Sequence, residues 1–73
     1  MNIADALKKI RSDMGITQQE AAKRVGISRS YFADLESGRY YPSGRILIKM
    51  NDEFDIFILL TDDGKTIHYK EVN

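Results

Sequence analysis

Few side chains of this sequence have the types and spacing that could support catalysis or metal binding. There is no cysteine to act as a nucleophile or a zinc ligand, and His68 is the only histidine. Gly64-Lys65-Thr66 is similar to the end of a phosphate-binding loop, but it lacks the upstream glycine that such a loop needs. The sequence therefore predicts neither an enzyme nor a metal site, and no cofactor is expected.

Basic side chains are the other groups with a clear chemical preference, and they are unevenly distributed. The net charge is zero, but residues 1–45 carry eight lysines and arginines against five acidic residues. Residues 46–73 carry three lysines against six acidic residues. The first part of the chain can therefore face the phosphates of a nucleic acid while the acidic remainder faces away.

The length of the chain and the spacing of its apolar residues give expectations about its stability and its location. A domain this short buries only about 60% of its unfolded surface, and without disulfides self-association is the obvious further source of stability. No apolar run approaches the ~18 residues that span a bilayer, and the N-terminal residues lack the pattern of a secretion signal. We expect a single-domain cytoplasmic protein with no membrane partner.

Four helices are predicted from capping residues and apolar spacing. A residue that can cap a helix marks each start: Asn2, Thr17, Ser28 and Ser43. A glycine suited to a left-handed backbone follows each of the first three: Gly15, Gly26 and Gly38. The second and third helices, joined by a turn that contains Gly26, predict a helix-turn-helix between Thr17 and Glu36.

An ordered set of residues in and after this segment carries a family resemblance. The set is Thr17-Gln18-Gln19-Glu20-Ala21-Ala22-Lys23-Arg24-Val25-Gly26-Ile27-Ser28-Arg29-Ser30, then Leu35-Glu36-Ser37-Gly38-Arg39 and Pro42. It resembles the Cro/C1-type (XRE-type) helix-turn-helix family of phage repressors and their relatives. The resemblance implies a mainly α fold, a four-helix lambda-repressor-like DNA-binding region over residues 1–54.

Base contacts are implied by the same resemblance, because in that family the helix after the turn enters the major groove of DNA. The implied residues are Arg29, Ser30, Tyr31 and Asp34. Arg29 suits a bidentate contact with guanine, and a phosphate contact alone is the alternative. Tyr31 could pack on a thymine methyl group or act only as a spacer. Asp34 could accept from cytosine or pair with an arginine instead.

Phosphate contacts would fix the position of the protein on DNA without selecting its sequence. Gln18 resembles the family's phosphate-binding glutamine, and the turn and loop supply further candidates: Ser28, Arg39, Tyr40 and Tyr41. For the two tyrosines, one ring in the core and one in solvent is the alternative. The resemblance also implies a partly buried ion pair between Arg11 and Glu36 that sets the angle between their helices.

Residues 55–73 predict a C-terminal β-hairpin. Two apolar runs, 56–60 and 67–72, flank the turn signal Asp63-Gly64. The register of this hairpin places Phe57 and Leu59 on one shared face. A small domain cannot bury both faces, so we expect one face to form a dimer interface, with Phe57 and Leu59 as its candidate residues. A short helix at Asp55–Leu60, capped by Asp55, is the alternative.

These features together indicate a sequence-specific transcriptional regulator, of the phage or bacterial repressor type. It would bind a pseudo-palindromic operator in double-stranded DNA as a homodimer, through the helix at 28–37. The alternative is a protein-interaction module, such as an antitoxin or an anti-repressor, whose C-terminal segment binds a protein partner. No small-molecule ligand is expected.

Overall fold

The computed structural model of this protein describes residues 1–61, which form five helices. These are α1 (Ile3–Met14), α2 (Gln18–Val25), α3 (Arg29–Glu36), α4 (Gly44–Phe54) and α5 (Ile56–Thr61). The first four confirm the helices predicted from the sequence. Within residues 1–61 no helix is long and apolar enough to cross a membrane.

Capping side chains begin helices α1 to α4, as predicted. In each case a side-chain oxygen accepts from the amide three residues on: Asn2 from Asp5 at 2.8 Å, Thr17 from Glu20 at 3.0 Å, Ser28 from Tyr31 at 3.1 Å and Ser43 from Ile46 at 3.3 Å. Glu20 Oε1 also accepts from the Thr17 amide at 2.9 Å, which completes a capping box. Each helix therefore starts where its own local sequence dictates.

The hydrophobic core lies where the inner faces of all five helices meet. Its buried side chains are Ala6, Leu7, Ile10, Ala21, Ala22, Val25, Phe32, Leu35, Met50 and Ile56. Helix α2 contributes two small buried side chains, Ala21 and Ala22, together with Val25. The core thus holds α2 and α3 in a fixed relative orientation.

The β-strand predicted at residues 56–60 is wrong, because these residues form helix α5. No strand occurs within residues 1–61. The predicted hairpin turn at 61–66 and the predicted second strand at 67–72 lie outside the described residues, except for Thr61, which is the last residue of α5. The short helix that the sequence left as an alternative is confirmed, at Ile56–Thr61, but within residues 1–61 no hydrogen bond to the Asp55 side chain caps it.

Tertiary contacts explain why this apolar run is helical. Asn51 Oδ1, in α4, accepts from the Phe57 amide at 3.0 Å, so α4 supplies a partner for the first turn of α5. Asp55 turns the chain between the two helices with a left-handed backbone, at φ 55°. Ile56 is then completely buried, and Leu59 and Leu60 pack against the core at the i+3 and i+4 positions of a helix.

The helical geometry also separates the two side chains that the strand would have placed on one face. Residues two apart in an α-helix point in nearly opposite directions. Leu59 packs against the core, whereas Phe57 is 40% exposed. The predicted shared face of Phe57 and Leu59 is therefore wrong.

Candidate nucleic-acid interface

The turn between α2 and α3 determines how α3 is presented. Gly26 has a left-handed backbone with φ 82°, and the amides of Gly26 and Ile27 donate to the Ala22 carbonyl at 2.9 and 3.0 Å. Ser28 returns to an extended backbone and caps α3. The two helices are thus joined by a tight, hydrogen-bonded turn of the type that the sequence predicted.

Helix α3 has one buried and one open face. Phe32, Leu35 and Glu36 are buried, and they fix the helix to the core. Arg29 and Ser30 are exposed at its N-terminus, and Asp34 lies half-buried one turn later. An α3 placed in a groove would present this open face to the DNA.

Ala33 shares that open face, although no motif in the sequence pointed to it. It lies three residues after Ser30 and is half-buried. A methyl group at this position can contact the methyl group of a thymine. The i, i+3, i+4 spacing of Ser30, Ala33 and Asp34 was the signal that could have identified it.

Tyr31 and Asp34 both have partners within the protein. The Tyr31 side chain is half-buried and packs against the core, which favours the spacer alternative. One carboxylate oxygen of Asp34 lies 4.0 Å from Arg39 Nη1. This long and partly exposed ion pair agrees with the arginine-paired alternative for Asp34.

A polar network links α1, α2 and α3 behind this face. Arg11 Nε donates to Glu36 Oε2 at 2.7 Å and Arg11 Nη2 donates to Glu36 Oε1 at 3.0 Å. Arg11 Nη1 also donates to the Ile16 carbonyl at 3.0 Å, and Gln18 Nε2 donates to Glu36 Oε1 at 2.8 Å. The structure therefore contains the ion pair that the resemblance implied, and adds Gln18 to it.

The titration of Glu36 reflects this network. Burial alone raises the pKa of its carboxyl group, because Glu36 is only 5% exposed. Hydrogen bonds from Arg11 and Gln18, with the charges of Arg11 and Lys8, outweigh burial and hold the pKa of Glu36 below its usual value. Glu36 is therefore a charged group in the folded protein at neutral pH.

An open concave surface, here called the polar concavity, lies beside the network. Its lining residues are Arg11, Thr17, Gln18, Gln19 and Arg29. The structure thus brings Gln18, a predicted phosphate ligand, to the same surface as Arg29, a predicted base ligand. The N-terminus of α2 opens here, and its free amides carry partial positive charge. Arg29 and the helix N-terminus favour binding of an anion here, whereas the charge of Arg11 is already balanced by Glu36.

The loop after α3 places three more predicted phosphate ligands on the surface. Arg39, Tyr40 and Tyr41 are all exposed, and the Arg39 guanidinium lies 5.4 Å from the centre of the Tyr40 ring. Tyr40 is 48% exposed and Tyr41 is 79% exposed, so neither is a core residue. The Ser28 hydroxyl is exposed as well, and its oxygen already accepts from the Tyr31 amide.

Comparison with known proteins identifies the family. Residues 7–56 match the family described as helix-turn-helix. The chain belongs to this Cro/C1-type helix-turn-helix family. The family is one of DNA-binding transcription regulators, and its members are not typically enzymes.

Relatives of this helix-turn-helix protein occur in archaea and in a phage. An uncharacterized HTH-type transcriptional regulator of Methanothermobacter thermautotrophicus is 42% identical over 65 residues, covering 81% of this chain and 94% of the relative. An uncharacterized HTH-type transcriptional regulator of Archaeoglobus fulgidus is 39% identical over 57 residues, which cover 71% of this chain and 81% of the relative. The immunity repressor of Bacillus phage phi105 is 42% identical over 43 residues, covering 59% of this chain and 30% of the repressor. No solved structure shows significant similarity.

Proposed function

We propose that this protein is a transcriptional repressor that binds a pseudo-palindromic DNA operator as a homodimer, with α3 in the major groove. The observation that carries the proposal is the open N-terminal face of α3 beside the polar concavity. A helix in the groove needs exposed side chains at its start and anion-binding groups at its flank. Similarity to the phi105 immunity repressor supports repression as the mode of regulation.

Base recognition is assigned to the N-terminal half of α3. Arg29 and Ser30 are the principal contacts, because both are exposed at the end of the helix that would enter the groove first. Ala33 adds an apolar contact one turn later. Tyr31 and Asp34 have a secondary role, because one packs against the core and the other lies near Arg39.

Phosphate contacts are assigned to the two sides of α3. Gln18 and the amides at the N-terminus of α2 lie on one side, and Ser28 lies in the turn that connects the two helices. Arg39, Tyr40 and Tyr41 are exposed in the loop that follows α3. Two such surfaces on either side of a groove-bound helix would hold it in register along the DNA.

Dimerisation is assigned to residues 55–73, and DNA binding to residues 1–54. Within the described part of the assigned dimerisation region, Phe57 is a large exposed apolar side chain on α5, and a second copy of the chain would remove it from water. A two-fold dimer would place its α3 helices about 34 Å apart, in successive major grooves.

Operator binding by an Arg29 variant tests the proposed function. We expect Arg29→Ala to weaken binding to the operator by about 1–3 kcal/mol, or roughly 5- to 150-fold, and to relax the preference at one base pair. The measurement is fluorescence anisotropy against the operator and against single-base variants of it. Lys49→Ala removes an exposed lysine of α4 that lies near Glu53, and serves as the matched control.

Two outcomes would change this assignment. An equal loss on every DNA sequence, with a salt dependence reduced by about one counterion, would make Arg29 a phosphate contact. Folded wild-type protein that binds no DNA upstream of its own gene more tightly than random DNA would contradict the proposed function itself.

The dimer assignment has its own test. We expect Phe57→Asp to convert a dimer into a monomer in sedimentation equilibrium, while the helical circular dichroism of the monomer is unchanged. The fold should tolerate the change because Phe57 is 40% exposed. A dimer mass that is the same in both proteins would refute the role of Phe57.

A second candidate function is protein interaction, as in an antitoxin or an anti-repressor. The observation that favours it is an apolar groove between α1 and the α4–α5 junction. Its lining residues are Ile10, Asp13, Met14, Phe54, Asp55, Ile58 and Leu59. Stoichiometric copurification of a second protein, lost on Met14→Asp, would support this function. Homodimers alone, purified from the native host, would count against it.

A further inference from the structure

One carboxylate in this protein serves two side chains that have different roles. Glu36 Oε1 accepts from Gln18 Nε2 at 2.8 Å as well as from Arg11 Nη2 at 3.0 Å. The Arg11–Glu36 pair by itself already joins α1 to α3, and it makes two hydrogen bonds. The bond from Gln18 therefore needs a separate explanation.

The bond from Gln18 determines how its carboxamide group is oriented. An ionised carboxylate only accepts hydrogen bonds, so the NH₂ end of the carboxamide must face Glu36 and the carbonyl oxygen must face away. The NH₂ group has a second N–H, and one bond to Glu36 leaves it available. Gln18 also lines the polar concavity, so its oriented carboxamide borders the surface where an anion would bind.

Gln19 provides an internal comparison. It follows Gln18 directly and lines the same concavity, but it is exposed and makes no side-chain hydrogen bond within residues 1–61. A free glutamine side chain must lose rotamer freedom when it binds a ligand, whereas one already held in place loses less. The two neighbouring glutamines thus differ in preorganisation and have the same chemistry.

We propose that Glu36 is a positioning residue for DNA binding, which orients the Gln18 carboxamide toward a backbone phosphate in the polar concavity. Arg11 holds the Glu36 carboxylate in place by two hydrogen bonds and balances its charge. The inference rests on the proposed function, because it requires a DNA phosphate at this surface. It gives the inter-helix ion pair a second role, which is to prepare a ligand.

A double-mutant cycle separates positioning from a merely structural role. The first change is the joint replacement Arg11→Met with Glu36→Met, here called the apolar pair, because an apolar pair of similar volume often preserves stability where a single change does not. The second change is Gln18→Ala. Affinity for the operator is measured for the wild type, the apolar pair, Gln18→Ala and the combined variant, with circular dichroism melts of each.

Positioning predicts that the two changes are not additive. We expect Gln18→Ala to weaken operator binding by about tenfold or more, as for loss of a hydrogen bond to a charged group. When the apolar pair is present, the loss of operator affinity caused by Gln18→Ala should be about 2- to 10-fold smaller, because Gln18 is then no longer preorganised. Gln19→Ala is the matched control, and its effect should be the same with and without the apolar pair. An unchanged effect of Gln18→Ala would overturn the proposal.

A measurement on the free protein distinguishes failure of this inference from failure of the proposed function. In a ¹⁵N–¹H spectrum without DNA, the side-chain NH₂ signals of Gln18 should differ from those of a free amide. They should move to free-amide values in the apolar pair, while those of Gln19 do not move. Free-amide signals for Gln18 in the wild type would overturn the inference. The other outcome is a wild type whose Gln18 signals differ from those of a free amide but which binds no DNA. That result would overturn the proposed function, and the inference with it.

Discussion

Replacement of Arg11 by methionine should destabilise the fold by leaving Glu36 without its main partner. Glu36 is only 5% exposed in the wild type, and in the variant it would keep only the hydrogen bond from Gln18. Removal of one member of a buried ion pair costs ~3–5 kcal/mol. The Arg11 side chain is 26% exposed, so water can partly replace it. We therefore expect a loss of about 3 kcal/mol, which lowers the melting temperature of a domain this size by roughly 12–24 °C.

The effect should depend on pH in a defined direction. In the wild type the pKa of Glu36 is lowered, so its contribution to stability is present above the unfolded-state pKa of about 4.3 and is lost as the pH falls through the lower folded value. In Arg11→Met, burial becomes the dominant influence and should raise the pKa of Glu36. As the pH falls, Glu36 in the variant gains a proton, and the destabilisation caused by its unpaired buried charge disappears. The difference in stability between the two proteins should therefore shrink from pH 7 toward pH 4.

Urea unfolding monitored by circular dichroism at several pH values measures this difference. Lys9→Met is the matched control, because Lys9 lies on the same helix and pairs with Asp13 at 3.1 Å on the exposed surface. Its effect should be below about 1 kcal/mol. A loss below about 1 kcal/mol for Arg11→Met, or a loss that is independent of pH, would refute this view of Glu36.

Two further pairs of variants test the backbone and the core, each by thermal unfolding. Gly26→Ala should cost about 1–2 kcal/mol, because φ is 82° although no atom lies within 4 Å of the added Cβ. Gly44→Ala, in the first turn of α4 and equally unhindered, should instead stabilise by about 0.5–1 kcal/mol; equal effects at both glycines would contradict the conformational argument. Ile56→Ala should cost about 2–4 kcal/mol because Ile56 is fully buried, whereas Ile48→Ala, at 60% exposure, should cost below about 0.5 kcal/mol. A small effect at Ile56 would mean that α5 is not part of the folded core.

Features that depend on nearby residues could be predicted from the sequence. The starts of α1 to α4 follow from caps that act over three residues, such as Ser28 on Tyr31. The turn at Gly26 follows from a local backbone requirement. The exposure of Arg29 and Ser30 then follows from helical spacing once the apolar face of α3 is known.

Features that depend on tertiary contacts could not be predicted from the local pattern of residues. The run from Ile56 to Leu60 is apolar throughout, and such a run fits a strand and a buried helix equally well. The run is helical because Asn51 accepts a hydrogen bond from the Phe57 amide and because Ile56 fills a space in the core. In the same way, the resemblance suggested a phosphate role for Gln18 but not its bond to Glu36, which lies 18 residues further along the chain.

The Arg11–Glu36 bridge has a consequence for the kinetics of folding. Its two residues are 25 positions apart, whereas each helix cap acts over three. Closing a long loop costs entropy, so the caps can form early and the bridge is expected to form after the folding transition state. Interactions formed that late slow unfolding and leave the folding rate almost unchanged. The bridge should therefore set how long each molecule stays folded, and with it how slowly proteases degrade the protein when cleavage is faster than refolding.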